Sequence, residues 1–122
     1  MKNRVLVIGM NPSSVEGVKK NSTLHRLNNW MDNIGITHYS FMNVIEKAAD
    51  KVYHGDVDPS RLRCASLGYN KVIALGGFAS ESLDKARINH FKMPHPSPRN
   101  RLLNDKKYEK DMVKQMKHYL GV

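Results

Sequence analysis

Two short apolar runs, each ended by glycine, constrain the fold of this chain more than any other feature. Val5–Ile8 is a continuous run of β-branched and aliphatic residues ended by Gly9, and Lys71–Leu75 is a largely apolar run ended by Gly76 and Gly77. A strand that is apolar at successive positions is buried on both faces, which is typical of a parallel sheet covered by helices on both sides. The two runs therefore predict an α/β fold.

Helical patterns lie between the predicted strands. Asn21 or Ser22 is a suitable N-cap for a helix whose apolar stripe includes Leu24 and Trp30 and which ends at Gly35. Further helices are predicted over residues 59–67, 78–87 and 104–120, and weaker strands over residues 37–45 and 88–93. Strands that alternate with helices predict a three-layer α/β/α sandwich with a mainly parallel four-stranded sheet, in a single domain over residues 1–122.

The charge distribution indicates a polyanionic partner. The chain has 20 Lys and Arg against 11 Asp and Glu, a formal net charge of +9. Residues 1–61 carry 8 basic and 6 acidic side chains, whereas residues 62–122 carry 12 and 5. A basic half on a small domain favours a nucleic acid as the partner, although a basic surface also serves solubility.

Cysteine, histidine and hydropathy exclude several classes of protein. Cys64 is the one cysteine, so no internal disulfide forms, and we expect this residue to be a small buried hydrophobe. The six histidines lack metal-ligand spacing, and we therefore expect no metal and no cofactor. The longest apolar run is too short to span a membrane. We expect a monomeric, intracellular protein of the cytoplasm that does not bind membranes, of a compactness compatible with a viral or mobile-element source.

Three polar clusters follow the predicted strands at their carboxyl ends, where parallel sheets bind their ligands. They are the segment GMNPS at residues 9–13, Asn43, and the segment HPSPRN at residues 95–100. Each cluster alone is compatible with an ordinary turn or cap. Their convergence on one edge of one sheet favours a functional site there.

The ordered pair GMNPS and HPSPRN resembles the two active-site motifs of the uracil-DNA glycosylase superfamily. The pair is most similar to the single-strand-selective monofunctional branch, whose motifs are close to GMNPG and HPSPRN. The resemblance extends to the strand that runs into Asn43 and to the segment VIALGGFAS over residues 72–80. It implies a DNA glycosylase of base-excision repair that flips uracil, or a related damaged base, out of DNA and hydrolyses its N-glycosidic bond.

The resemblance also assigns roles to individual residues. It implies that His95 donates to O2 of the departing base, where negative charge develops, and that Asn11 orients the attacking water. Asn43 would pair with the uracil edge, donating to O4 and accepting from N3–H. The remaining residues fall into two groups: Gly9 and Met10 at the base, and Ser13, Ser97, Arg99, Asn100 and Arg101 on the DNA backbone.

Two further features concern the DNA substrate. Members of the superfamily place an aromatic side chain soon after the first motif to stack on the base, and here the next aromatic residue, Trp30, fits the core stripe of its helix. Phe41 and Tyr53 are the alternatives for stacking. Leu102 and Leu103 follow the second motif and are candidate wedges for insertion between bases.

The sequence is also compatible with two other functions. The intact set of Asn11, Asn43 and His95 favours an enzyme. The missing stacking aromatic and the short chain favour a weakly active or inactive member that binds DNA or a partner protein through the same edge. A nucleoside- or nucleotide-processing α/β domain would explain the sheet edge, but not the HPSPRN segment or the basic second half.

Overall fold

The sheet and its helices are defined in a computed structural model that describes residues 4–10, 18–45, 53–96 and 100–122, with only the backbone described for residues 18–23. The elements in chain order are β1 (Val5–Gly9), α1 (Val18–Asn33), β2 (Ser40–Asn43), α2 (Pro59–Ser66), β3 (Lys71–Leu75), α3 (Gly77–Lys85), β4 (Phe91–Met93) and α4 (Lys106–Leu120). Short 3-10 turns lie at His54–Asp56 and Arg101–Asn104.

The strands form one parallel sheet in the order β2-β1-β3-β4. Gly9 of β1 pairs with Asn43 of β2, and Leu75 of β3 pairs with Met93 of β4. The carboxyl ends of all four strands therefore meet along one edge, which we call the carboxyl edge; the opposite side is the amino edge.

Side chains of β1 alternate between two buried clusters on opposite faces of the sheet. Val5 and Val7 belong to a cluster with α1 and α4, whereas Leu6 and Ile8 belong to a cluster with α2 and α3. Each fully buried aliphatic side chain of this kind contributes about 1.5–3 kcal/mol. The predicted α/β class, the parallel four-stranded sheet and the three-layer arrangement are confirmed.

Two helix starts have side-chain caps. Asp58 accepts hydrogen bonds from the backbone N–H groups of Ser60 (3.0 Å) and Arg61 (3.4 Å), with proline next to it at the first helical position, as the sequence predicts. Asp105 accepts from Lys107 at 2.9 Å in the same way and begins α4.

Several predicted boundaries are wrong. Helix α1 begins at Val18, before the predicted caps Asn21 and Ser22, because lysine and asparagine there are compatible with helix and the cap preference alone does not stop it. Strands β2 and β4 are shorter than predicted. Beyond β2 the chain bends, while Val44 and Ile45 still donate to the carbonyls of β1 and the residue after it.

Three burial predictions are also wrong. Cys64 is exposed, because α2 turns Leu62 into the core and a residue two positions further on faces away. Leu24 is 38% exposed and lies at the margin of its helix stripe. Leu103, a predicted wedge, is buried in the α1/α4 cluster, whereas Leu102 is 60% exposed.

None of the helices in the described ranges combines the length and the apolar character needed to cross a membrane.

Candidate functional site

The carboxyl edge brings together side chains from both halves of the chain. Neighbouring strands lie about 4.8 Å apart, and Gly9 is the partner of Asn43 in the ladder. On the other side of β1, Ile8 pairs with Ala74 of β3, so Gly76 follows at the same edge. His95 lies two residues after β4, which pairs with β3.

Gly9 is covered by two side chains of β2. A methyl group added at Gly9 would lie 2.8 Å from Oδ1 of Asn43 and 3.1 Å from Cζ of Phe41, and the first distance is below any ordinary contact. Phe41 and Asn43 are two residues apart on a strand, so they face the same side of the sheet. Phe41 is also 42% exposed. The structure thus places an accessible aromatic ring and an amide side by side.

Arg61 of α2 is hydrogen-bonded to the backbone at the end of β2. Its Nη2 donates to the carbonyl oxygens of Asn43 and Val44, each at 2.7 Å. Both bonds are part-buried, and a buried carbonyl that loses a hydrogen bond is costly, so Arg61 stabilises this end of β2. Sequence reasoning missed Arg61 because its partners are backbone atoms, which leave no signal in the sequence.

His95 packs against the backbone of Gly76. A methyl group at Gly76 would lie 3.3 Å from Cβ of His95, and Gly76 has a φ of 89°, a conformation that favours glycine. Its N–H donates to the carbonyl of Met93 at 2.8 Å, which holds the end of β4 against β3. Burial lowers the pKa of His95 below the ordinary value, because desolvation disfavours the charged imidazolium. His95 is therefore neutral at neutral pH.

Asn100 closes the segment that follows His95. Its Nδ2 donates to the carbonyl of His95 at 2.9 Å, and its Oδ1 accepts from the backbone N–H of Leu102 at 3.2 Å. The Asn100 amide, predicted to contact DNA, thus makes hydrogen bonds within the chain. Arg101, next in the sequence, is exposed.

Four predicted site residues, Asn11, Ser13, Ser97 and Arg99, lie outside the described residues. Met10 is described: it is partly buried, and its carbonyl accepts from Ile45 at 3.1 Å. Tyr53, the second candidate for stacking, is 65% exposed and precedes the turn whose His54 stacks on Phe78, a residue of the α2/α3 face. Phe41, the other candidate, lies against Gly9 on the same side of the sheet as Asn43.

The described groups at the carboxyl edge have a consistent chemistry. Asn43, His95 and Phe41 offer an amide, a neutral imidazole and an aromatic ring, which suit recognition of a planar, uncharged heterocycle. Within the described ranges, no three side chains of the metal-binding types come together.

Comparison with known proteins adds the family. The model of a family described as "Protein of unknown function (DUF1643)" matches residues 1–62, which include Gly9, Asn43 and Arg61. No curated protein and no solved structure matches the chain. The chain belongs to the DUF1643 family.

Proposed function

We propose that this member of the DUF1643 family is a monofunctional DNA glycosylase that hydrolyses the N-glycosidic bond of uracil, or of a closely related damaged base, in DNA. The proposal rests on the resemblance of residues 9–13 and 95–100 to the two motifs of the uracil-DNA glycosylase superfamily. The observation that carries it is the amide of Asn43 beside the ring of Phe41, both over Gly9.

Asn43 and Phe41 support recognition of a base that has left the stack. The amide of Asn43 donates to uracil O4 and accepts from N3–H, and cytosine presents the opposite pattern at those two positions. The ring of Phe41 provides the stacking surface. Unstacking costs a few kcal/mol in a duplex and less in a single strand, so these contacts offset that cost.

His95 supports departure of the base. The bond between C1′ and N1 breaks with its electron pair passing to uracil, and the negative charge that develops is shared with O2. The neutral imidazole donates a hydrogen bond to O2 without transferring its proton. The water oxygen bonds to C1′, and the proton that water loses is balanced by protonation of the released uracil from solvent.

Asn43 and His95 lie over neighbouring strand ends. Asn43 Oδ1 lies 2.8 Å from the position of a methyl group at Gly9, and His95 packs against Gly76, which follows β3. Strands β1 and β3 are neighbours in the sheet, which supports contact of both side chains with one base.

Residues after the second motif support binding of the DNA itself. Arg101 is exposed and suits a backbone phosphate, and Leu102, 60% exposed, is the remaining wedge candidate because Leu103 is buried. The C-terminal half also carries most of the net charge.

The test is a glycosylase assay on matched oligonucleotides that differ only in uracil or thymine at one position. Abasic sites are scored by alkaline cleavage, in single and double strands, with and without EDTA. We expect turnover of the uracil strands that survives EDTA. Loss of turnover on chelation, restored by a divalent ion, would contradict a cofactor-free reaction. DNA binding without turnover would instead favour a binding protein of the same fold.

A further inference from the structure

A cavity lies at the amino edge, away from the proposed active site. Its volume is about 350 Å³, and it lies between the starts of β1 and β2 and the residues that precede β3. The lining residues with hydrogen-bonding side chains on which a ligand site can be based are Arg4, Thr37, His38, Ser40 and Tyr69. None of the described lining residues carries a carboxylate.

Arg4 is held in place at the wall of this cavity. Its backbone N–H donates to Oδ1 of Asn70 at 2.8 Å, and its carbonyl accepts from the N–H of Asn70 at 3.1 Å. Its guanidinium lies over the ring of Tyr69, 5.5 Å from the centroid. Among the described residues no carboxylate lies within 4.0 Å of this guanidinium. The guanidinium of Arg4 therefore forms no ion pair with a described carboxylate.

Ser40 and His38 add donors beside Arg4. The hydroxyl of Tyr69 donates to Oγ of Ser40 at 2.7 Å, which leaves the Ser40 proton for another acceptor. Arg4, His38 and Ser40 all line the cavity, so a guanidinium, an imidazole and a hydroxyl belong to its wall.

Tyr39 also lines the cavity, but its side chain packs against the α1/α4 cluster and its hydroxyl is hydrogen-bonded to α1. That hydroxyl donates to Oδ1 of Asn28 on α1. Burial, and secondarily the charge of Asp32 on the same helix, raises the pKa of Tyr39.

We propose that the amino-edge cavity binds the phosphate group of a small phosphomonoester. Donors on three separate residues, Arg4, His38 and Ser40, suit a tetrahedral oxyanion with three free oxygens better than a planar carboxylate with two. The volume exceeds what a phosphate group needs and lies at the lower end of the range for small-molecule sites, so an organic body fits with it. This site is independent of the proposed glycosylase activity.

The test is a ¹H–¹⁵N NMR titration of the full chain with inorganic phosphate, ribose 5-phosphate, acetate and chloride at matched ionic strength. We expect saturable shifts at the backbone amides of Val5, Ser40 and Tyr69 with both phosphates, and tighter binding of the sugar phosphate. Arg4→Met is expected to weaken phosphate binding about tenfold or more, because a charge-assisted hydrogen bond is lost.

Lys71→Met is the matched control. Lys71 also begins a strand at the amino edge and lies over an aromatic ring, 4.8 Å from the centroid of Tyr119, but on the α1/α4 side. It is expected to bind phosphate within about twofold of the wild type, since its charge lies outside the cavity. Ser40→Ala gives a second test in a smaller change, and circular dichroism verifies that each variant is folded.

Three results would overturn the proposal. Chloride shifts as large as those of phosphate would indicate screening alone, and equal binding of acetate would contradict a phosphate site. Equal loss in Arg4→Met and Lys71→Met would show that net charge, and not the cavity, attracts the anion.

Discussion

At the carboxyl edge of the sheet two neutral polar side chains lie directly on glycine, whereas at the amino edge two cations lie over aromatic rings. Asn43 covers Gly9 and His95 covers Gly76, and a methyl group added at Gly9 would displace the Asn43 amide. The carboxyl edge is thus a site whose geometry depends on the absence of a side chain.

The amino edge is organised by charge. Arg4 lies over Tyr69 and Lys71 lies over Tyr119, one pair on each face of the sheet. Cation–π contacts at exposed positions are worth about 0.5–1 kcal/mol and leave the charge available to solvent and ligands. We therefore expect changes at the carboxyl edge to act through position, and changes at the amino edge to act through electrostatics.

The largest expected effect is that of His95→Ala. The cleavage rate on uracil-containing DNA is expected to fall by about two to three orders of magnitude, the usual cost of removing one hydrogen bond to a developing anion. Single-turnover kinetics measure it. Lys71→Met, at the amino edge, is the control and keeps the rate. A folded His95→Ala protein that cleaves at the wild-type rate would show that the carboxyl edge is not the site of the reaction.

Gly9→Ala tests position without changing polarity. The added methyl group meets Asn43 and Phe41 at 2.8 and 3.1 Å, and a displacement of about 1 Å at a reacting group costs up to about 100-fold in rate. Gly77→Ala is the matched control, because nothing lies within 4 Å of a methyl group there. If both variants cleave alike, the close contact at Gly9 has no part in the reaction.

Arg61→Met tests how the strand end is held. The carbonyls of Asn43 and Val44 lose their donor, and we expect the free energy of unfolding to fall by about 1–3 kcal/mol. Discrimination between uracil and cytosine is expected to fall as well, because the Asn43 backbone shifts. Denaturant unfolding and competition cleavage measure the two effects. Arg63→Met, an exposed arginine of the same helix, controls for charge; equal stability of the two variants would contradict the role of Arg61.

The pKa of His95 predicts a pH dependence. The folded-state pKa lies below the ordinary value of about 6.5, so the unfolded chain binds the proton first as pH falls. The stability from neutral His95 is present above about pH 6.5 and is lost as pH falls through the lower folded-state pKa. We expect the cleavage rate to stay constant at pH values above the folded-state pKa of His95 and to fall below it. NMR titration of the ring protons locates the midpoint, and His95→Asn should flatten this part of the stability profile. A midpoint above 6.5 would contradict the burial argument.

The smallest expected effect is that of Arg101→Ala on DNA binding. Loss of one phosphate contact lowers the slope of log affinity against log salt by nearly one, for uracil-containing and undamaged DNA alike. A fluorescence-anisotropy salt titration measures the slope. Lys71→Met is expected to leave it unchanged, and the reverse outcome would move the DNA surface to the amino edge.

Local sequence patterns predicted the presence of helices and strands better than the residues at which they begin and end. The apolar run Val5–Ile8 and the cap at Asp58 were correct, because strand burial and capping depend on neighbouring residues. The start of α1 and the exposure of Cys64 were wrong, because both depend on which face another element covers. The location of Asn43 at the carboxyl edge was predictable because this residue ends a predicted strand. The contact of Phe41 with Gly9 was not, because it depends on which strands are neighbours in the sheet.

The sequence by itself determined that glycine, asparagine and the histidine segment stand at or just after the carboxyl ends of the predicted strands, since each feature is a property of consecutive residues. Only the tertiary structure decided the strand order β2-β1-β3-β4, which sets Asn43 on Gly9 and carries Arg61 to the edge of β2. It also decided that the hydroxyl of Tyr69 crosses to Ser40. The physical reason is that these contacts join distant parts of the chain, in large part through backbone atoms that every residue shares.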